Sequence, residues 1–245
     1  MRTLRLTIAY DGTNYAGWQR QLNAIAIQQV VEEAFAHLTG GVAPTISGAG
    51  RTDAGVHALG QIASVNVEFE HSLLSVQRAL NTRLPADIRV IDVAEMPPGF
   101  HARFQATGKS YRYRMVITSV MSPFDRFTAW HVPWPLNVSE MQKAAALLTG
   151  THDFASFQAT GTKITETTRT VEQLSVTDVG GQLLIDATGD GFLRNMVRIL
   201  AGTLMEVGTG HRPADSMPDI LAAKSRDAAG KTAPPQGLTL MSVRY

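Results

Sequence analysis

Leu4, Leu6, Ile8 and Tyr10 alternate with Arg5, Thr7 and Ala9 near the start of the chain. A period of two predicts a strand with one buried face. The period changes over residues 27–38, where Ile27, Val30 or Val31, Ala34 or Phe35, and Leu38 fall on one helical stripe. Gly40-Gly41 supplies its stop, and His37 faces solvent. After a glycine-rich stretch, Val65, Val67 and Phe69 resume strand alternation; residues 73–80 suit a helix and 88–93 a further strand. Pro97-Pro98-Gly99 then interrupts regular structure, because proline restricts the residue before it and glycine favours a turn. Two α+β domains are expected, one over residues 1–103 carrying a glycine-rich loop and one over 104–245.

In the second half, Tyr111, Tyr113, Met115 and Ile117 share one strand face and Arg112 and Arg114 the other. Ser139-Glu140-Met141-Gln142 has the form of a capping box ahead of an Ala- and Leu-rich run that Gly150 can end. Strands at 171–176 and 182–187 flank Gly180-Gly181, the pattern of a tight hairpin. Apolar spacing through Phe192, Met196, Ile199, Leu200, Thr203 and Leu204 predicts an amphipathic helix over 192–207. On that helix Arg194 and Arg198, four apart, would be neighbours able to meet a carboxylate and a phosphate. A short helix near 220–224 and a strand near 238–243 complete the half, and no sequence repeat is visible.

Composition narrows the class without naming a function. The chain has 245 residues, 44% hydrophobic and 18% charged, which suits a globular protein. It lacks an apolar stretch as long as 18 residues, so no membrane partner is expected. Cysteine is absent, which excludes disulfides and cysteine nucleophiles. The first residues enter a strand pattern instead of a hydrophobic signal core, and cytoplasmic residence is expected. The seven histidines are dispersed without metal-ligand spacing, so no metal is inferred. A formal charge of +1 identifies no polyanion binder, but between His101 and Trp130 Arg103, Lys109, Arg112, Arg114 and Arg126 are opposed only by Asp125 and interleaved with aromatics. Such a surface can contact phosphates and stack on bases; an ordinary strand pair has the same appearance.

The chemistry concentrates in Gly48-Ala49-Gly50-Arg51-Thr52-Asp53-Ala54-Gly55-Val56-His57-Ala58-Leu59. Glycines permit tight turns and close approach by a ligand, while Thr52 and Asp53 can hydrogen-bond locally. Asp53 is thus either the head of an Asx turn or a catalytic carboxylate in a pocket wall. A carboxylate can attack at neutral pH without first losing a proton to a base.

The segment from Gly50 to Ala58 resembles the active-site signature of the TruA family of tRNA pseudouridine synthases. Tyr10-Asp11-Gly12-Thr13, Gly17-Trp18-Gln19-Arg20-Gln21, Phe100-His101-Ala102-Arg103-Phe104, Tyr111-Arg112-Tyr113, Asp153-Phe154-Ala155-Ser156-Phe157, the run from Phe192 to Arg198 and Pro234-Pro235-Gln236-Gly237-Leu238 extend the likeness, in order, through essentially the whole chain. What the resemblance implies is two RNA-recognition-like α+β halves with joined antiparallel sheets and a catalytic cleft between them. It also implies a homodimer without cofactor, isomerising uridines 38, 39 and 40 of the tRNA anticodon stem-loop.

The same resemblance assigns roles by position. Asp53 matches the catalytic aspartate, attacking uracil C6 or ribose C1′, and Arg198 matches a basic residue that pairs with it. Tyr111 matches an active-site tyrosine that can support the extruded base or take part in proton transfer, with stacking the safer role because an ordinary phenol is poorly ionised at neutral pH. Arg51 corresponds to an arginine beside the flipped nucleotide and Leu238 to an apolar wall of the base pocket, although Arg51 could brace the turn and Leu238 could be core. His57 supports the loop or contacts RNA, and the charge pattern and helical spacing, not the resemblance, add Arg112, Arg114 and Arg194 as further RNA contacts. Trp18 and Phe154 have stronger core readings. Two other functions fit parts of the pattern: a noncatalytic structured-RNA-binding protein, and a hydrolase using Asp53 with Asp11 as acid and base.

Overall fold

The computed structural model describes residues 1–162 and 164–245, and the chain forms two compact units. The first comprises Met1–Thr107 and Leu240–Tyr245, the second Gly108–Thr239.

In the first unit the elements run β1 (Arg2–Tyr10), α1 (Ile27–Ala36), β2 (Ser47–Gly48), β3 (His57–Val67), α2 (Leu73–Arg83) and β4 (Ile88–Met96). The antiparallel sheet has the order β4-β1-β3-β2. Leu4, Leu6, Ile8 and Tyr10 are buried, as their alternation predicts; Leu4 sits opposite Val65 and Leu6 opposite Ala63. On α1 the buried stripe is Ile27, Val31, Ala34 and Phe35, so Val31 and not Val30 takes the inward place, and His37 is exposed. α2 lies along β4 and also touches α1.

β3 departs from its sequence pattern. It begins at His57, eight residues before the alternation at Val65, so the glycine-rich signature feeds directly into a strand. The reason is burial on both faces. Ala49, Ile62 and Ala102 form a second small core joined by Phe100 and Val243, and Ser64 Oγ accepts a hydrogen bond from the Ala102 amide (3.1 Å). A strand covered on both sides loses the alternation that a half-exposed strand shows.

In the second unit come β5 (Gly108–Val116), β6 (Trp130–His131), α3 (Val138–Leu147), β7 (Gly150–Asp153), β8 (Thr168–Asp178), β9 (Gln182–Gly189), α4 (Met196–Gly208) and α5 (Met217–Ala223). β5, β9, β8 and β7 are adjacent in that antiparallel order, and β6 pairs parallel with β5. A last strand, β10 (Leu238–Arg244), has its first two residues in this unit and the rest in the first. The β8–β9 hairpin turns through Gly180 (φ 60°) and Gly181 (φ 88°), two left-handed positions in a row, as a tight type I′ connection requires. Tyr111, Tyr113 and Met115 are buried on one face of β5 and Arg112 and Arg114 lie half-exposed on the other.

With the short β6 and β7 set aside, both units run β-α-β-β-α with the third strand beside the first and the second beside the third: β1, β3, β2 in one and β5, β9, β8 in the other. This is the split β-α-β arrangement of RNA-recognition-like domains, repeated in topology where no repeat shows in sequence. Among the described residues no helix is long and apolar enough to cross a membrane.

Two helix starts differ from their sequence signals. The N-cap of α3 is Asn137, whose Oδ1 accepts from the Glu140 amide (3.2 Å); Ser139 instead donates its hydroxyl to Asn137 Oδ1 (2.8 Å). The second helix, α4, begins at Met196, four residues later than its apolar spacing suggests, because Asn195 adopts a left-handed conformation (φ 61°). Replacement of a capping Asn by Ala costs about 1 kcal/mol. Asn137→Ala is therefore expected to lower the unfolding free energy measured by urea titration by that amount, and Ser139→Ala by less than half of it; an equal loss in both would return the cap to Ser139.

Candidate active site

Asp53 sits in the loop between β2 and β3, half-buried, within a tight turn closed by the Val56 amide donating to the Asp53 carbonyl (3.2 Å). The residue before it is fixed at both ends. Thr52 Oγ1 lies 2.8 Å from the Tyr10 hydroxyl, and its carbonyl accepts from the Trp18 amide (3.1 Å). Gln61 reaches back from β3 to donate to the Gly50 carbonyl (2.9 Å). Trp18 is buried, which gives it to the core.

The segment after β1 wraps this loop. The Gly12 amide donates to His57 Nδ1 (3.1 Å), and Asp11 Oδ1 lies at 3.1 Å from the same nitrogen. One nitrogen cannot at once accept from Gly12 and donate to Asp11. Asp11 Oδ1 is also bonded by the Thr13 amide (3.0 Å) and hydroxyl (2.5 Å). Burial raises the Asp11 carboxyl, but the Thr13 hydrogen bonds and the nearby imidazole outweigh it and hold the group below its ordinary value. Asp11 is thus occupied in shaping the turn, away from the acid–base partnership a hydrolase would ask of it. His57 is 6% exposed, and of its two sequence roles this burial favours loop support over RNA contact. Arg51 points outward, exposed.

The second unit carries Tyr111, Arg198, Arg194 and Leu238. Tyr111 is buried in β5 with its ring edge-on to Phe192 (centroids 5.3 Å, 87°). Arg198 projects from the first turn of α4; Nε donates to the Ala233 carbonyl (2.8 Å) and a terminal nitrogen to Asn195 Oδ1 (3.3 Å). The loop that receives it is itself fastened to α4, with the Gly230 amide donating to Thr203 Oγ1 (2.9 Å) and the Lys231 amide to Glu206 Oε1 (2.9 Å). Beyond it, the Tyr113 hydroxyl donates to the Pro234 carbonyl (2.8 Å), and burial pushes that phenol far above its usual range. Leu238, which opens β10, is buried. Phe154 is fully buried against Phe157 and belongs to the core.

The helical pairing of Arg194 with Arg198 does not form. Arg194 lies in the turn ahead of α4 and is exposed, because the left-handed Asn195 separates it from the helix. The strand arginines also differ from a free basic surface. Arg112 makes a two-pronged bond to Asp186 directly across the sheet (2.7 and 3.1 Å), and Arg114 binds Asp125 (2.9 Å), Gln182 and Thr128. Asp186 comes from β9, more than seventy residues on, so a local count of charges omits it. Asn195, Ala233, Thr203 and Gln61 were missed in the sequence, because each acts through a backbone group or a distant element; only the left-handed preference of Asn hinted at one of them.

The family model described as tRNA pseudouridine synthase matches residues 6–105 and 144–245. Among curated proteins, those called tRNA pseudouridine synthase A from Syntrophotalea carbinolica, Geobacter sulfurreducens and Halalkalibacterium halodurans are 47%, 46% and 44% identical to this chain. The matches cover 100%, 100% and 97% of this chain and 97%, 100% and 90% of those proteins, respectively. A family match over both halves, together with relatives alike from end to end, means that the chain belongs to the tRNA pseudouridine synthase family.

Proposed function

We propose that the protein converts uridines 38, 39 and 40 of the tRNA anticodon stem-loop to pseudouridine, with Asp53 as the covalent nucleophile. Membership of the family carries the reaction class, and the observation that carries the residue is the anchoring of the Asp53 loop. Its backbone is tied down at Gly50, Thr52 and Val56, while Asp53 as a residue is only half-buried. A rigid frame around a reachable anion is what nucleophilic attack needs.

The target base leaves the stack, and the carboxylate bonds at uracil C6 or ribose C1′. The N1–C1′ bond breaks, the uracil turns within the site, and a C5–C1′ bond forms. Release of the Asp53 carboxylate from the carbon it attacked, loss of the C5 proton and gain of one at N1 complete an isomerisation, so atoms balance and no cofactor is consumed. In this reading Arg198 orients the attacking carboxylate, and Tyr111 and Leu238 line the space for the base. The anchoring of Arg198 by Ala233 and Asn195 supports its role, because a guanidinium already aimed loses little freedom on engaging a partner. Arg51 and Arg194, both exposed, contact RNA phosphates; Arg112 and Arg114 contribute less, their charges being met by Asp186 and Asp125. A cytoplasmic homodimer follows from the resemblance alone.

The decisive experiment is base-resolved mapping of pseudouridine in unmodified tRNA incubated with the purified protein. Asp53→Asn is expected to lower the rate by roughly 10³-fold or more while tRNA binding persists, since the amide keeps the size and loses the anion. Undiminished conversion by the folded variant would leave Asp53 a structural residue. Arg198→Gln should slow the single-turnover step at saturating tRNA by about 10²-fold; an unchanged rate would remove its orienting role. Phosphate contacts are read from salt dependence, each contributing about 0.7 to 0.9 to the slope of log affinity against log salt. Neutralising Arg51 and Arg194 together should lower that slope by about 1 to 2, and neutralising Arg112 and Arg114 by less than about 1. A larger effect of the second pair would place the RNA on the β5 face.

A further inference from the structure

Three buried polar side chains behind the Asp53 loop need a reason to be polar. Tyr10 ends β1 and is 4% exposed, Thr52 is 7% exposed, and Gln61 in β3 is fully buried. The Tyr10 and Thr52 hydroxyls are 2.8 Å apart, and the Gln61 amide lies beside the Tyr10 hydroxyl while donating to the Gly50 carbonyl. Gln61 Oε1 has no hydrogen-bond partner among the described residues. Burying hydroxyls and an amide costs free energy that Phe, Val and Leu of similar shape would not incur. Packing alone therefore does not account for the choice.

We propose that Tyr10, Thr52 and Gln61 are positioning residues for the nucleophile, a buried polar set that fixes the peptide leading into Asp53 and so the direction of its carboxylate. The proposal rests on the reading of Asp53 as nucleophile. With its hydroxyl held by Tyr10 and its carbonyl by Trp18, Thr52 cannot rotate without breaking one bond or the other. Gln61 fixes the chain two residues earlier at Gly50. Burial pushes the Tyr10 phenol far above its ordinary value, so it remains a protonated hydrogen-bonding group throughout the working range of the enzyme and takes no part as a base. A displacement of about 1 Å at a reacting group costs about 10² in rate, which is the scale of effect such a set controls.

The test uses the full chain and unmodified tRNA, with Tyr10→Phe, Thr52→Val, Thr52→Ser and the Tyr10→Phe/Thr52→Val double variant. Single-turnover pseudouridine formation at saturating tRNA, tRNA affinity and thermal midpoint are measured for each. Tyr10→Phe and Thr52→Val should each slow the single-turnover step by about 10- to 100-fold with affinity within about twofold. The double variant should be no slower than the slower single one, because both remove the same bond. Thr52→Ser, which keeps the hydroxyl, should recover most of the rate even where its thermal midpoint falls. Wild-type speed in either single variant, multiplying losses in the double one, or a folded Thr52→Ser as slow as Thr52→Val would overturn the proposal. Asp53→Asn is run alongside. If that variant is active, the nucleophile reading has failed; if it is inactive and Tyr10→Phe runs at full speed, only the positioning set has failed.

Discussion

The Asp53 loop has no regular structure of its own, so its shape depends on how closely another loop can approach it. That approach is backbone on backbone. A Cβ at Gly17 would stand 2.4 Å from the Thr52 carbonyl oxygen, at a left-handed φ of 87°, and one at Gly12 would stand 2.0 Å from the Val56 carbonyl oxygen. Any side chain at either place would force the two loops apart. Because they stay together, the Trp18 amide reaches Thr52, the Gly12 amide reaches His57, and Tyr15 can tie the outer loop to Asp87 through its hydroxyl (2.7 Å). Two glycines ahead of α1 thus set the frame for a carboxylate some forty residues later.

The second unit meets the same need by other means. Its irregular segment before β10 is fastened by side chains: Thr203 and Glu206 of α4 take the amides of Gly230 and Lys231, and Tyr113 of β5 bonds to Pro234. Arg198 completes the arrangement by using the Ala233 carbonyl as a rest for its guanidinium. Helix and loop hold each other, so the cation has a direction before any partner arrives.

The parts of the fold that were legible in sequence are those in which one face is wet. β1, the Tyr and Arg faces of β5 and the β8–β9 hairpin show their period because alternate residues meet solvent. β3 did not, since Phe100, Ala102 and Val243 cover the side that would have carried polar residues. The start of α4 was misplaced because Phe192 has helical spacing from Met196, and a left-handed Asn195 is invisible to a periodicity. β6 and β7 are two and four residues long, too short to show any period. At the site, Asp53 stood out through its glycine-rich surroundings and the family resemblance. Arg112 looked like a free cation because its carboxylate, Asp186, comes from β9.

The first unit draws its last residues from the far end of the chain. Leu240–Tyr245 belong to it; the Arg244 carbonyl accepts from the Thr107 amide (2.8 Å), the Tyr245 hydroxyl donates to the Ala102 carbonyl (2.7 Å), and Val243 packs against the Ala49–Ile62–Ala102 cluster. During synthesis these residues emerge only after all of the second unit, so the first unit gains this part of its packing late. Until then the Ala102 side of β3 lacks part of its cover, and the strand that leads out of the Asp53 loop lies in an unfinished core. The frame around the Asp53 loop is in this way completed only after the second unit has been synthesised.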